Sequence, residues 1–110
     1  MEKKNVYVRA QEIVRELPPV LKSVRKRDKK LADQLQRAAQ STLLNIGEGR
    51  GNKDGNAELR FATACGSAKE VRAALYIASQ WGYIEMRRAE ALDAELDTIC
   101  AITWCLSRGR

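Results

Sequence analysis

The sequence predicts an all-α protein, an antiparallel up-down four-helix bundle forming one domain over residues 1–110. Three observations carry that prediction. Apolar residues recur at helical spacing in four separate stretches. Proline and glycine clusters punctuate the chain between stretches and leave short connections, which set neighbouring helices antiparallel. Aromatic residues make up only 5% of a chain that is 45% hydrophobic, a balance suited to helices packed through alanine and leucine and a poor one for a β-sandwich.

The first helix is expected over 5–17, where Val6, Ala10, Ile13, Val14 and Leu17 mark one amphipathic face. Pro18-Pro19 should end or kink it, because neither residue donates a backbone hydrogen bond and the second disfavours helical geometry at the first. Val20, Leu21 and Val24 suit a short helix over 20–26. Lys22, Arg25, Lys26, Arg27, Lys29 and Lys30 then make a dense cationic connector. Such a run serves either as a solvated link or as a footprint for phosphate or an acidic partner.

The second helix is expected over 28–48 and carries two stripes. Leu31, Leu35, Ala38, Thr42 and Ile46 form a mostly apolar line, while Gln34, Arg37, Ser41, Asn45 and Glu48 form a polar line that flanks it. Gly47, Gly49, Gly51 and Gly55, with Asn52, Asp54 and Asn56, should then break the helix and turn the chain. The glycine spacing is not read as a phosphate loop, since no strand precedes it and no Walker lysine-threonine pair is present.

Asn56 is the expected N-cap of the third helix, over 57–81. Leu59, Ala62, Gly66, Ala73 and Ile77 are read as its inner line, with Thr63 and Ala74 beside them and Gly66 marking close approach of another backbone. Glu70 falls on the same line, and Arg37 is its expected partner. Arg37, Asn45, Ser67 and Glu70 are thus expected to form a structural polar layer between the second and third helices. Gly82 closes the third helix. The fourth, over 86–106, repeats Ala89, Leu92, Leu96, Ile99, Thr103 and Leu106 at close to a heptad spacing. Cys100, Ile102 and Trp104 add apolar surface beside that seam.

The net charge is +6, and its distribution is uneven. Residues 1–30 hold ten Lys and Arg against four Asp and Glu, whereas residues 82–110 hold four against five. The acidic side chains of the fourth stretch are Glu85, Glu90, Asp93, Glu95 and Asp97. With no histidine and three cysteines that lack CxxC spacing, neither a metal site nor a nucleophile–base pair can be assembled, so no enzyme, metal or cofactor is expected. Cys65, Cys100 and Cys105 read as reduced, buried thiols. No apolar run reaches the length of a membrane span and the N-terminus does not read as a signal peptide, so a cytoplasmic location is expected.

Three motifs then stand out together: L-x-x-Q-L-x-R-A-x-x-S-x-x-x-N-I-x-E-G over 31–49, A-x-G-S-A-x-E over 64–70, and A-x-x-x-G-Y-I over 78–84. In combination they resemble the four-helix-bundle family first named for proteins encoded within intervening sequences of bacterial 23S ribosomal RNA genes. They are similar, more distantly, to the accessory variability protein of diversity-generating retroelements. Two departures are a longer, more basic link before Leu31 and Gly47 in place of the usual alanine. The resemblance implies a cytosolic bacterial protein without enzymatic activity, a ring-shaped homo-oligomer of the pentameric type, and, from the retroelement relatives, a basic surface for nucleic acid.

Two functional readings follow. In one, a non-catalytic oligomer binds RNA or DNA through Lys22, Arg25, Lys26, Arg27, Lys29 and Lys30, with Arg50 and Lys53 as outlying candidates; scarce aromatics make shape and charge, not base stacking, the expected basis. In the other, the basic connector of one copy packs on the acidic fourth helix of its neighbour and is consumed by assembly.

Overall fold

In the computed structural model, which describes residues 3–51 and 55–109, four α-helices follow one another: α1 (Lys3–Arg27), α2 (Lys29–Gly51), α3 (Gly55–Gln80) and α4 (Met86–Ser107). Each packs on its neighbour in the chain, and α4 returns to close against α1. The result is an antiparallel up-down four-helix bundle of 43 × 22 × 19 Å. Among the described residues no helix is long and apolar enough to cross a membrane.

The two prolines neither end nor interrupt α1, contrary to expectation. Val6, Ala10, Ile13, Leu17, Val20 and Val24 run through them as one seam at alternating steps of four and three, and all six are buried. Burial of Leu17 and Val20 on either side outweighs the local preference for a break. Pro18 and Pro19 face solvent, so the carbonyls they leave without a helical donor, those of Val14 and Arg15, lie on a water-accessible side. Val14, expected inside, is 37% exposed for the same reason. The stretch 20–26 is therefore the end of α1, not a separate helix, and the cationic connector is no loop. A single residue, Asp28, separates α1 from α2. Its backbone N–H donates to the Val24 carbonyl (2.8 Å), and its Oδ1 accepts from the Leu31 N–H (3.0 Å), an N-cap.

The apolar line of α2 is buried from Leu31 through Ile46. The helix passes its first two glycines and continues to Gly51. Gly49 allows the buried Phe61 ring to lie against the α2 backbone, where a Cβ would stand 3.0–3.1 Å from three ring carbons. Gly47 does the same, less tightly, for Tyr7 at 3.3 Å. These glycines admit aromatic rings instead of ending the helix. Asn52, Asp54 and the candidate Lys53 lie outside the described residues. Asn56, the expected cap, lies within the first turn of α3, one residue after its first, Gly55.

On α3 the inner line differs from the expected one. Ala57, Phe61, Ala64, Ala68, Val71, Leu75 and Ala78 are the buried seam. Leu59 is 62% exposed, Ala62, Gly66 and Ala73 are exposed, and nothing stands within 4 Å of a Cβ built on Gly66. Two seams of near-identical period run along this helix, and the one with the bulkier Phe61, Val71 and Leu75 faces the core because it removes more apolar area from water. A Schellman motif ends α3: Tyr83 N–H donates to the Ala78 carbonyl (2.8 Å) and Gly82 N–H to that of Ser79 (3.2 Å), with Gly82 at φ +77°. The α4 seam of Ala89, Leu92, Leu96, Ile99, Thr103 and Leu106 is buried throughout, together with Cys100 and Ile102. The Thr103 hydroxyl is satisfied by the Ile99 carbonyl at 2.7 Å.

Candidate nucleic-acid interface

The up-down topology brings the α1–α2 junction and the α3–α4 turn to one end of the bundle, and contacts tie them together. The Tyr83 hydroxyl donates to Asp28 Oδ2 (3.4 Å), and the Arg27 guanidinium lies 5.4 Å from the Tyr83 ring centroid. Trp81 meets Tyr83 edge-on, with centroids 6.1 Å apart and planes at 82°. Arg88 reaches back to α1, its Nη1 lying 3.3 Å from Glu16 Oε1 and its Nη2 donating to the Glu16 carbonyl at 3.2 Å.

The six cationic residues of this end divide into two groups. Arg25 is a clamp between α1 and α2: Nη1 donates to Asp33 Oδ1 (2.6 Å) and Nη2 to Gln36 Oε1 (2.9 Å). The Arg25 hydrogen bond holds the Asp33 carboxyl below the usual aspartate value. Arg27 is held over Tyr83. Lys22, Lys26, Lys29 and Lys30 are exposed and form no ion pair among the described residues, although Lys29 adds to the field that lowers the Asp33 carboxyl. Arg87 joins them from the first turn of α4, exposed and likewise unpaired.

Their placement runs against local electrostatics. Lys29 and Lys30 occupy the first turn of α2, and Arg87 and Arg88 that of α4; neither turn contains an acidic residue. Cations at helix N-termini meet the positive end of the helix dipole, at a cost of roughly 0.3–1 kcal/mol each. Arg88 has a structural role in its ion pair with Glu16, and the N-cap positions Asp28 and Glu85 are acidic. Lys29, Lys30 and Arg87 have no ion pair among the described residues, and an anion bound at these helix N-termini would meet their charge.

Arg50 belongs to the opposite end of the bundle, where its guanidinium lies 4.2 Å from the Tyr7 ring centroid. The structure therefore does not gather it with the six. Trp81, Tyr83, Arg87 and Arg88 were missed by local reading, although the predicted topology already carried the signal by bringing both turns to one end.

The expected polar layer is rearranged. Ser67 is buried and shares a 2.7 Å hydrogen bond with Ser41, and Asn45 Nδ2 donates to the Ser41 carbonyl (2.9 Å) and hydroxyl (3.1 Å). Arg37 and Glu70 are both exposed and flank this cluster across a shallow groove without an ion pair between them. The rotation of α3 that places Phe61 inside carries Glu70 to the surface. Polar contact between the helices thus runs through the Ser41–Ser67 hydroxyls and, nearer the end of α2, through Arg60, whose Nε lies 2.8 Å from Glu48 Oε2 and whose Nη1 donates to Asn45 Oδ1 at 3.5 Å.

Three acidic residues of α4, Asp93, Glu95 and Asp97, are engaged within the chain. Arg72 of α3 holds Asp93 through Nε (2.7 Å) and Nη2 (3.1 Å), and Asp97 through Nη1 (3.0 Å). Hydrogen bonding to Asp93 pushes the Arg72 pKa upward. Glu95 pairs with Arg9 of α1 at 2.8 Å. Among the described residues no group of three or more His, Cys, Asp or Glu is arranged to hold a metal ion.

Comparison with known families gives a match, over residues 2–104, to the family described as 23S rRNA-intervening sequence protein. Comparison with curated proteins and with solved structures gives none.

Proposed function

From the premise that the chain belongs to the family of 23S rRNA-intervening sequence proteins, we propose that it is a non-enzymatic, cytosolic bundle that assembles into a homo-oligomer and binds RNA through its basic end. One observation carries the binding reading: Lys22, Lys26, Lys29, Lys30 and Arg87 converge at one end of the bundle without an ion pair to a carboxylate among the described residues, and three of them, Lys29, Lys30 and Arg87, sit in first turns of helices, where the dipole disfavours a cation. Phosphate contacts supply affinity and charge complementarity supplies encounter rate.

Assembly is supported by the second seam of α3. Leu59, Ala62, Gly66, Ala73 and Tyr76, interrupted by Lys69, follow the alternating spacing of a helix–helix contact yet lie exposed, with Leu59 at 62% and Tyr76 at 65%. A helix apolar on two sides is normally covered on both, and a second copy, in the five-membered ring that the resemblance implies, is the occupant we favour. The alternative, in which the basic end packs on the acidic helix of a neighbour, has less support. Asp93, Asp97 and Glu95 already hold Arg72 and Arg9, which leaves Glu85 and Glu90 for such a contact.

The test is native mass determination with and without a structured RNA, on the wild type, on Gly66→Glu, and on the variant with Lys22, Lys26, Lys29 and Lys30 changed to Glu. We expect Gly66→Glu to be monomeric and the charge-reversed variant to assemble but not bind. With about four phosphate contacts, wild-type affinity should fall roughly 50- to 150-fold between 50 and 200 mM salt. Unchanged RNA binding after charge reversal would refute the binding reading, and a monomeric wild type at micromolar concentration would refute assembly.

A further inference from the structure

We propose that Trp81 is a stacking platform for an unpaired base, so that the basic end selects single-stranded over duplex nucleic acid; this rests on the nucleic-acid reading above and specifies its ligand. Trp81 is 61% exposed. An aromatic ring left in water forgoes the large apolar burial that makes tryptophan valuable to a core, and the fold gives no reason for it to stand there. It is nevertheless held in place. The Schellman turn fixes its backbone, with Trp81 N–H donating to the Ile77 carbonyl (2.9 Å), and the Tyr83 edge contact braces the ring. Tyr83 is itself anchored on Asp28 and lies beneath Arg27. Indole and guanidinium are thus spaced by one rigid ring, 6.1 Å from the first and 5.4 Å from the second.

The other exposed aromatics lack this setting. The Arg108 guanidinium lies 5.1 Å from the Trp104 ring centroid, and Tyr76 belongs to the α3 seam assigned to assembly. At the basic end, lysines without carboxylate partners supply phosphate contacts while Trp81 offers a π-face. That pairing of a cationic track with an aromatic surface is what single-strand binders use, and a base buried within a duplex cannot reach it.

The experiment compares wild type, Trp81→Ala and Trp81→Phe for binding of labelled 12-nucleotide oligo-U, oligo-dT and a 12-base-pair duplex at fixed low salt. Stacking is worth about 1–3 kcal/mol per base, so Trp81→Ala should weaken both single strands roughly 5- to 150-fold. The duplex should change by less than about twofold, and Trp81→Phe should recover most of the loss. In Trp104→Phe, where Trp81 is the remaining tryptophan, its fluorescence should be quenched by oligo-U, a readout that leaves the platform intact. Equal losses on duplex and single strands, no loss on single strands, or no quenching would overturn the stacking role. The charge-reversed variant separates the two ideas. If it loses binding while Trp81→Ala does not, the platform alone fails; if it binds oligo-U as tightly as wild type, the nucleic-acid reading fails with it.

Discussion

Replacing Pro18 and Pro19 together with alanine tests whether α1 is one helix. Both residues lie inside a 25-residue helix whose buried seam continues through them. Alanine restores two backbone donors, toward the carbonyls of Val14 and Arg15. In a helix interior proline is about 3 kcal/mol less favourable than alanine. Two adjacent prolines do not double that cost, because one local distortion relieves both ring clashes and the orphaned carbonyls already reach water. Alanine also loosens the unfolded chain, which offsets about 0.4–1 kcal/mol per site. The double variant should therefore be more stable by roughly 1–3 kcal/mol. For a chain of 110 residues the unfolding entropy scale makes this a rise in Tm of about 4–12 °C. Urea and thermal unfolding followed at 222 nm, at one fixed protomer concentration, read the difference directly. A variant no more stable than wild type would mean that the prolines occupy a genuine break with no helical donor missing, and the continuous seam through Leu17 and Val20 would be wrong.

Gly49→Ala should destabilise the protein by about 1–2 kcal/mol, since the overpacking cost against a confined ring exceeds the propensity gain of up to about 1 kcal/mol near a helix end; its Cβ would press on the Phe61 ring, which is 1% exposed, and a stabilised variant in the same urea assay would contradict that packing. Asp33 titrates below the usual 3.8 because Arg25 bonds its charged form. Its contribution is therefore complete above that value and is lost as pH falls through the depressed folded pKa, so acid unfolding curves of wild type and Asp33→Asn should converge below pH 3.8 and stay apart above it. Cys105 is half-buried, whereas Cys65 and Cys100 are buried and burial pushes the Cys100 thiol up. A thiol reagent at pH 8 should label Cys105 in the folded protein and the other two only as fast as the chain opens, a rate order that peptide mapping of the labelled protein would check.

The parts of the fold legible in the sequence are those where one periodicity is unopposed. The seams of α2 and α4 carry a single apolar line, and both are buried as the spacing predicts. Reading fails where two signals compete. At Pro18-Pro19 a strong local breaker meets a weaker-looking seam, and burial of Leu17 and Val20 prevails. On α3 the lines beginning at Leu59 and at Phe61 have the same period, so spacing cannot rank them; side-chain volume does. That choice decided the polar layer as well. With Phe61 inside, Ser67 turns toward Ser41, and Glu70 comes to the exposed rim of the groove it shares with Arg37, where the two form no ion pair. The candidate interface was half legible. The lysines of the α1–α2 junction announce themselves as a charge run, but Trp81 and Arg87 join them only through three-dimensional adjacency, which no local window contains.

Two features, an outward seam on α3 and a basic end whose lysines form no ion pair among the described residues, are coupled on the proposed reading. In a cyclic ring, rotation about the axis carries every copy's basic end to the same side. Assembly then concentrates like charge on one face, so self-repulsion opposes the apolar gain along α3 and grows as salt is lowered. A polyanion bound across that face removes the repulsion, and because coupling between two equilibria is reciprocal, whatever binding contributes to assembly, assembly contributes to binding. Contacts that are individually weak then act at the high effective concentration set by neighbouring copies. On the proposed reading, a protein with few aromatics and four exposed lysines at the α1–α2 junction would gain its grip on nucleic acid from repetition of the same end around a ring.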